Sequence, residues 1–183
     1  SYGRALTRSA SRQPDAVALI HEGRSTRYAG LEENSNRLAR AFAERGVGEG
    51  DFVTISLPNG REVVESFFAC WKLGATPQPI SVRLPDQERD TIIDLVGPRL
   101  LVGKASGSVA ESRTFPADTD VSTQSVEPLP DRVSHHRFAI CSGGSTGRPK
   151  VIVDHIRAEI DPEAGFHGRP PGASILVPGP LYH

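Results

Sequence analysis

The residues most able to do chemistry lie in one short stretch, CSGGSTGRPK, at positions 141–150. Glycine permits left-handed backbone conformations and close approach, so successive N–H groups can converge on an anion. The hydroxyl side chains add hydrogen-bond donors, and Lys150 adds a positive charge. The stretch therefore predicts a site for an anion with several oxygens, above all a polyphosphate. Its glycines are Gly143, Gly144 and Gly147, and its hydroxyl residues are Ser142, Ser145 and Thr146.

Two familiar phosphate-binding patterns do not fit this stretch. A P-loop places Lys and then Ser or Thr directly after its last glycine, whereas Gly147 is followed by Arg148, Pro149 and Lys150. A dinucleotide-binding G-x-G-x-x-G opens a helix, whereas Lys150 leads into the β-branched run VIV. From the residues alone, a surface loop without a ligand remains the alternative.

Strands and helices alternate along the chain before this stretch. Runs rich in β-branched and aromatic residues predict strands, and apolar residues repeated every three to four positions predict helices. The strands are nearly continuous in apolar residues, as in parallel sheets covered on both faces. We therefore predict an α/β fold with a mostly parallel sheet and flanking helices. The predicted elements are two short strands within 16–28, strands at 51–57, 75–81 and 99–103, and helices at 30–46, 61–74 and 85–97.

Cap residues mark the ends of these helices. Asn59 is expected to cap the helix 61–74, and Gly74 is expected to end it. Gly46 is a natural stop for the preceding helix, and Pro85 suits the first turn of the last one.

The pattern changes after residue 103. Residues 104–137 hold few large apolar residues and many Ser, Asp and Pro, which predicts a surface excursion or linker within the domain. Apolar runs predict further strands at 138–141 and 150–156 and a last strand at 173–183. Because that last pattern is interrupted at its end, we expect the chain to be a domain truncated at its C-terminus.

Composition excludes several classes of protein. The 183 residues carry 21 basic and 22 acidic side chains, which argues against a nucleic-acid partner. No run of 18 apolar residues is present, so no integral membrane segment is predicted. Two cysteines predict a reduced, cytoplasmic protein, and the six histidines show no metal-binding spacing, so no metal ligand is predicted.

Three segments resemble one known family, in its order and spacing. CSGGSTGRPK resembles the glycine-rich signature of the adenylate-forming (AMP-binding) enzymes. Residues 36–81, with GD before a strand, PN after it and KLGA leading to PIS, resemble the N-terminal segment of that family. VPGPLYH at 177–183 resembles the segment that lines the acyl pocket of acyl-CoA ligases. The resemblance implies that residues 1–183 are part of the large N-terminal domain of an acyl-CoA synthetase, truncated at its C-terminus, with fatty acid metabolism as the expected setting.

The resemblance implies a reaction in two steps. A carboxylic acid attacks the α-phosphate of ATP with Mg²⁺ present, and the acyl-adenylate then passes its acyl group to coenzyme A. The remainder of the chain would supply the adenine site, the metal ligands and a second lysine. Val151 departs from the family, since many members have glycine there. The resemblance assigns the β- and γ-phosphates of ATP to Ser142, Gly143, Gly144, Ser145, Thr146, Gly147 and Lys150, with Lys150 as the catalytic residue. It assigns the carboxylic acid to Tyr182 and His183, in a wall shaped by Gly179, Pro180 and Leu181.

Two other functions stay open at this point. The alternative acceptor is the thiol of a carrier protein, as in the adenylation modules of peptide synthetases. A phosphate- or nucleotide-binding module without catalysis would also account for the composition of the glycine-rich stretch.

Overall fold

The computed structural model describes residues 1–107, 109–142, 149–161 and 173–182. Strands and helices alternate through its first half, as predicted, and the elements after residue 103 are short. Its α-helices are α1 (Tyr2–Arg12), α2 (Tyr28–Glu44), α3 (Arg61–Leu73) and α4 (Asp86–Val96). Its strands are β1 (Val17–His21), β2 (Arg24–Arg27), β3 (Phe52–Ser56), β4 (Thr76–Pro79), β5 (Leu100–Gly103), β6 (Thr114–Phe115), β7 (Ala139–Ser142) and β8 (Lys150–Val153).

The central sheet has four strands in the order β4-β3-β5-β6, and every neighbouring pair is parallel. Strands β1 and β2, and β7 and β8, form separate antiparallel pairs. The prediction of an α/β fold with a mostly parallel sheet is thus confirmed. Gly103 ends β5 with φ +93°, and a Cβ there would lie 2.3 Å from the Ser56 carbonyl oxygen, so only glycine fits this close strand approach.

Helices cover both faces of this sheet. Because successive residues of a strand face opposite sides, Leu100 and Val102 enter the main apolar cluster while Leu101 does not. The main cluster also takes apolar side chains from α2 and α3, which pack against each other. On the opposite face, Leu101 packs with Ile93 of α4 and with Val109.

The outer edge of β4 carries two prolines, which have no backbone N–H group to donate to another strand. The backbone N–H groups of Thr76 and Ile80 donate to carbonyls on the β3 side, at 2.8 and 2.9 Å. Pro77 and Pro79 alternate with these donors, so their nitrogens face away from β3 and carry no hydrogen. Proline is tolerated at such an edge.

A buried ion pair joins the three helices on the main face. Lys72 of α3 lies 2.6 Å from a carboxylate oxygen of Glu32 in α2, and both side chains are less than a tenth exposed. The Thr7 hydroxyl of α1 donates to the other Glu32 oxygen at 2.8 Å, and the Asn36 amide donates to it at 3.1 Å. Burial lowers the pKa of the Lys72 ammonium, and the charge of Glu32 opposes that shift.

Several predicted ends and elements need correction. Helix α3 begins after Gly60 and has no side-chain cap, so the expected cap by Asn59 is wrong; Gly74 does end it, with φ +75°. Residues 173–182 form no strand, although a last strand at 173–183 was predicted, and they pair with no other described strand. An apolar run forms a strand only where a neighbour completes its hydrogen bonds. Helix α1 has no counterpart among the predicted elements.

The segment 104–137 lies along the domain and also enters its core. It is mostly irregular, as its composition suggests, but it contains β6, a short 3₁₀ turn at Glu111–Arg113 and the buried side chain of Phe115. Val121 and Leu129 pack against the main cluster. The segment therefore covers the edge of the sheet beyond β5.

Replacing Lys72 by methionine should destabilise the chain. The carboxylate of Glu32 would remain buried without its cation, and breaking a buried pair in this way costs about 3–5 kcal/mol. Urea denaturation of the 183-residue chain measures the loss. Lys104→Met is the matched control, because Lys104 pairs with Asp86 on the surface, where solvent-exposed pairs contribute little to stability. Equal losses in the two variants would contradict a stabilising role of the buried pair.

Candidate functional site

Strands β7 and β8 hold the two ends of the glycine-rich stretch together. Ser142, the last residue of β7, is the register partner of Lys150, the first residue of β8. Paired residues of an antiparallel ladder lie about 5 Å apart at their Cα atoms. The stretch between them is therefore anchored at both ends on one two-stranded unit.

Aromatic packing attaches this unit to α3. The indole N–H of Trp71 donates to the Arg137 carbonyl at 2.9 Å, just before β7. The Phe138 ring meets the rings of Phe67 and Trp71 edge to face, with centroids 5.1 and 5.2 Å apart. On the β8 side, Asp154 accepts from the Arg137 guanidinium at 2.7 Å. The base of the pair is thus fixed to the main core.

Polar side chains connect β7 to the edge strand β4. The amide of Gln78 donates to the sulfur of Cys141 at 3.1 Å and accepts from the hydroxyl of Thr54 in β3. Near the start of β4, the hydroxyls of Thr76 and Ser134 lie 3.1 Å apart. The earlier residue of β4, Thr76, contacts the earlier residue, Ser134, and the later residue, Gln78, contacts the later one, Cys141. Strand β7 therefore runs in the same direction as β4. Ser142 therefore lies toward the carboxyl end of β4.

The segment that precedes Tyr182 lies at the carboxyl end of β3. Asn59 follows that strand, and its side chain contacts the backbone of residues 179–181 through two hydrogen bonds. Tyr182 follows directly and is half-buried. Ligands of open α/β sheets bind outside the carboxyl ends of the strands. Ser142 and residues 179–181 therefore both lie toward the carboxyl edge of the parallel sheet.

The structure describes two of the predicted phosphate ligands, Ser142 and Lys150. Lys150 is exposed and makes no ion pair with any residue that the structure describes. Ser142 is described by its backbone alone, while Gly143, Gly144, Ser145, Thr146, Gly147 and His183 lie outside the described residues. Gln78 and Asn59 help to hold this region together, and no sequence pattern predicts that role for either residue. Their signals are a polar residue inside a proline-flanked strand and an asparagine just before a helix.

His136 has a structural role. His136 stacks on Phe52, and its Nδ1 lies 2.7 Å from the Asp154 carbonyl oxygen. Within the described ranges, no group of three or more His, Cys, Asp or Glu could hold a metal ion. The helices of those ranges also include none that is long and apolar enough to cross a membrane.

Strands β7 and β8, which flank the glycine-rich sequence, thus pack beside an α/β sheet. The family model for AMP-binding enzymes matches residues 6–183. The chain therefore belongs to the AMP-binding enzyme family, whose members form adenylates.

The chain is similar in sequence or fold to individual proteins with adenylate-forming domains. The probable non-canonical nonribosomal peptide synthetase CymA of Salinispora arenicola is 33% identical over 156 residues, or 80% of this chain and 2% of that protein. The N-terminal subdomain of Klebsiella oxytoca NpsA, solved with 3-hydroxybenzoyl-AMSN, has a TM-score of 0.71 at 24% identity, covering 84% of this chain and 40% of that one. The o-succinylbenzoate CoA synthetase MenE of Bacillus subtilis, solved with its acyl-adenylate, has a TM-score of 0.67 at 25% identity, covering 80% and 40%. The chain thus spans well under half the length of these proteins.

The two thiols should react slowly in the folded chain. Burial raises the pKa of Cys141, and full burial raises that of Cys70 further. Since the thiolate is the reactive form, fewer thiolates are present at neutral pH than for a free cysteine, and reaction should accelerate only at alkaline pH. Alkylation by iodoacetamide at pH 7.5, followed by mass spectrometry, measures both sites. Rapid labelling of Cys141 in the folded chain, at the rate seen in urea, would contradict this prediction.

Proposed function

We propose that this chain is the N-terminal part of an adenylation domain that activates a carboxylic or amino acid as its adenylate. The observation that carries the proposal is the exposed Lys150 paired with Ser142 at the ends of a Gly-, Ser- and Thr-rich stretch, in a chain of the AMP-binding family. A flexible cation and hydroxyl groups suit phosphate oxygens. The parent protein would act in a reducing cytoplasm, which agrees with the free thiols of Cys70 and Cys141.

The chemistry assigns one task to these residues. A carboxylate oxygen of the acid attacks the α-phosphorus of ATP, the bond to the β-phosphate oxygen breaks, and pyrophosphate leaves. Catalysis of this kind consists mainly of positioning and charge stabilisation. Lys150 would neutralise the departing pyrophosphate, and the glycine-rich stretch would donate hydrogen bonds to it. Adenylate-forming enzymes use ATP with Mg²⁺; none of the described residues is assigned as a ligand of that ion.

The acceptor of the acyl group is proposed to be the thiol of a carrier protein. The similar proteins are mostly nonribosomal peptide synthetases, which supports this acceptor over coenzyme A. The same names give no support to an acyl-CoA synthetase of fatty acid metabolism. In the transfer step the thiol attacks the adenylate carbonyl, and AMP leaves.

Coenzyme A remains a second candidate acceptor, for one specific reason. MenE, whose name states a CoA synthetase, shares 25% identity and the fold with this chain. The segment VPGPLYH at 177–183 also resembles acyl-CoA ligases. Incubating the intact parent protein with ATP, a panel of acids and either holo-carrier protein or coenzyme A separates the two, because mass spectrometry identifies which thiol becomes acylated. Absence of any acid-dependent ATP–pyrophosphate exchange would refute the adenylation function itself.

Lys150→Ala in the parent protein should slow adenylation by roughly 100-fold, the order seen when one charge-stabilising group is removed. The transfer of a preformed adenylate to the thiol should change much less, because pyrophosphate has already left. ATP–pyrophosphate exchange measures the first step, and single-turnover transfer from added acyl-adenylate measures the second. Lys104→Ala, in an exposed ion pair elsewhere, is the matched control. Equal losses in both steps would count against a role at the pyrophosphate.

A further inference from the structure

Asn59 contacts a segment that lies far away in the chain. Its side-chain Nδ2 donates to the Gly179 carbonyl oxygen at 3.1 Å, and its Oδ1 accepts from the Leu181 N–H at 3.0 Å. The amide thus uses its donor and its acceptor on one backbone segment. Asn59 does not cap the adjacent helix and instead binds the backbone of a remote segment. Its role therefore extends beyond local structure.

A third contact makes the attachment directional. The Leu181 side chain packs against the main apolar cluster. Two hydrogen bonds and one packed side chain together fix both the place and the orientation of residues 179–181. The preceding residues contrast with them, since Ile175, Leu176 and Val177 are exposed and form no strand. The segment is therefore held at Asn59, immediately before Tyr182.

The location of this contact relates it to the reaction. Asn59 stands at the carboxyl end of β3, the strand between β4 and β5, where open α/β sheets bind ligands. We propose that Asn59 is a positioning residue for the acid substrate, since by fixing Leu181 it sets where Tyr182 faces the acid. This inference rests on the proposed function, together with the resemblance to acyl-CoA ligases that assigns Tyr182 to the carboxylic acid.

Substitutions of Asn59 in the intact parent protein test the inference. Asn59→Ala removes both hydrogen bonds, and we expect the KM for the acid in ATP–pyrophosphate exchange to rise about tenfold while the KM for ATP stays unchanged. Asn59→Asp keeps the acceptor for Leu181 N–H but places a charge against the Gly179 carbonyl, so its KM for the acid should also rise. A merely structural residue would not separate the two KM values.

Asn34→Ala is the matched control. Asn34 also uses both ends of its amide, donating to Glu65 at 2.7 Å and accepting from Arg37 at 3.3 Å, but within the α2–α3 pair. We expect it to leave both KM values unchanged. An Asn59→Ala variant that behaves like Asn34→Ala would overturn the inference.

Hydrogen exchange gives a readout that does not depend on turnover. The Leu181 amide should exchange faster in Asn59→Ala than in the wild type, and it should be unaffected in Asn34→Ala. Equal Leu181 exchange in all three proteins would overturn the contact. If the wild-type parent shows no acid-dependent exchange, the proposed function and the inference fail together, whereas normal wild-type activity with an unchanged KM in Asn59→Ala removes the inference alone.

Discussion

The two prolines of β4 constrain how the rest of the site can be attached. With no hydrogen on the nitrogens of Pro77 and Pro79, the outer edge of the parallel sheet cannot continue as a regular ladder. Among the described strands, β7 accordingly pairs with β8 and not with β4. The connection is made instead by side chains, with Gln78 on Cys141 and Trp71 on the Arg137 carbonyl. The glycine-rich stretch is therefore held by a unit beside the sheet rather than by the sheet itself.

This arrangement separates rigidity from chemistry. The parallel strands and their helices form a dense core, in which Val53, Ile55 and Leu100 are fully buried. The residues expected to meet substrate follow the ends of strands, outside this core. Asn59 extends the same principle, because it uses a residue at a strand end to hold a segment more than a hundred positions away.

The sequence predicts the parallel sheet well because its signals are local. Apolar strands, helical periodicity and a glycine such as Gly74 each depend on a few neighbouring residues. Contacts between distant residues carry no such signal. The sequence around Asn59 predicts a helix cap, and only the fold shows that its side chain binds residue 181. The sequence 173–183 predicts a strand, although its described residues pair with no described strand. The sequence does not predict helix α1 either, since the helix contains three arginines and too few apolar residues to show a clear helical pattern.

Within the site, the same limit applies. The composition of the glycine-rich stretch predicts what it binds, but the pairing of Ser142 with Lys150 depends on β8 folding back along β7. The short polar link through Gln78 has no sequence pattern at all, because a buried glutamine becomes informative only when its partners Thr54 and Cys141 are known.

Trp71 gives the molecule a built-in optical reporter. It is the sole tryptophan of the sequence, it is 6% exposed, and its indole N–H binds the carbonyl that precedes β7. The rings of Tyr2 and Phe138 contact it from α1 and from the β7 side. Indole emission depends on such hydrogen bonding and on exclusion of water. The emission wavelength of Trp71 in solution therefore reports, without any label, whether the β7–β8 pair is packed on the core.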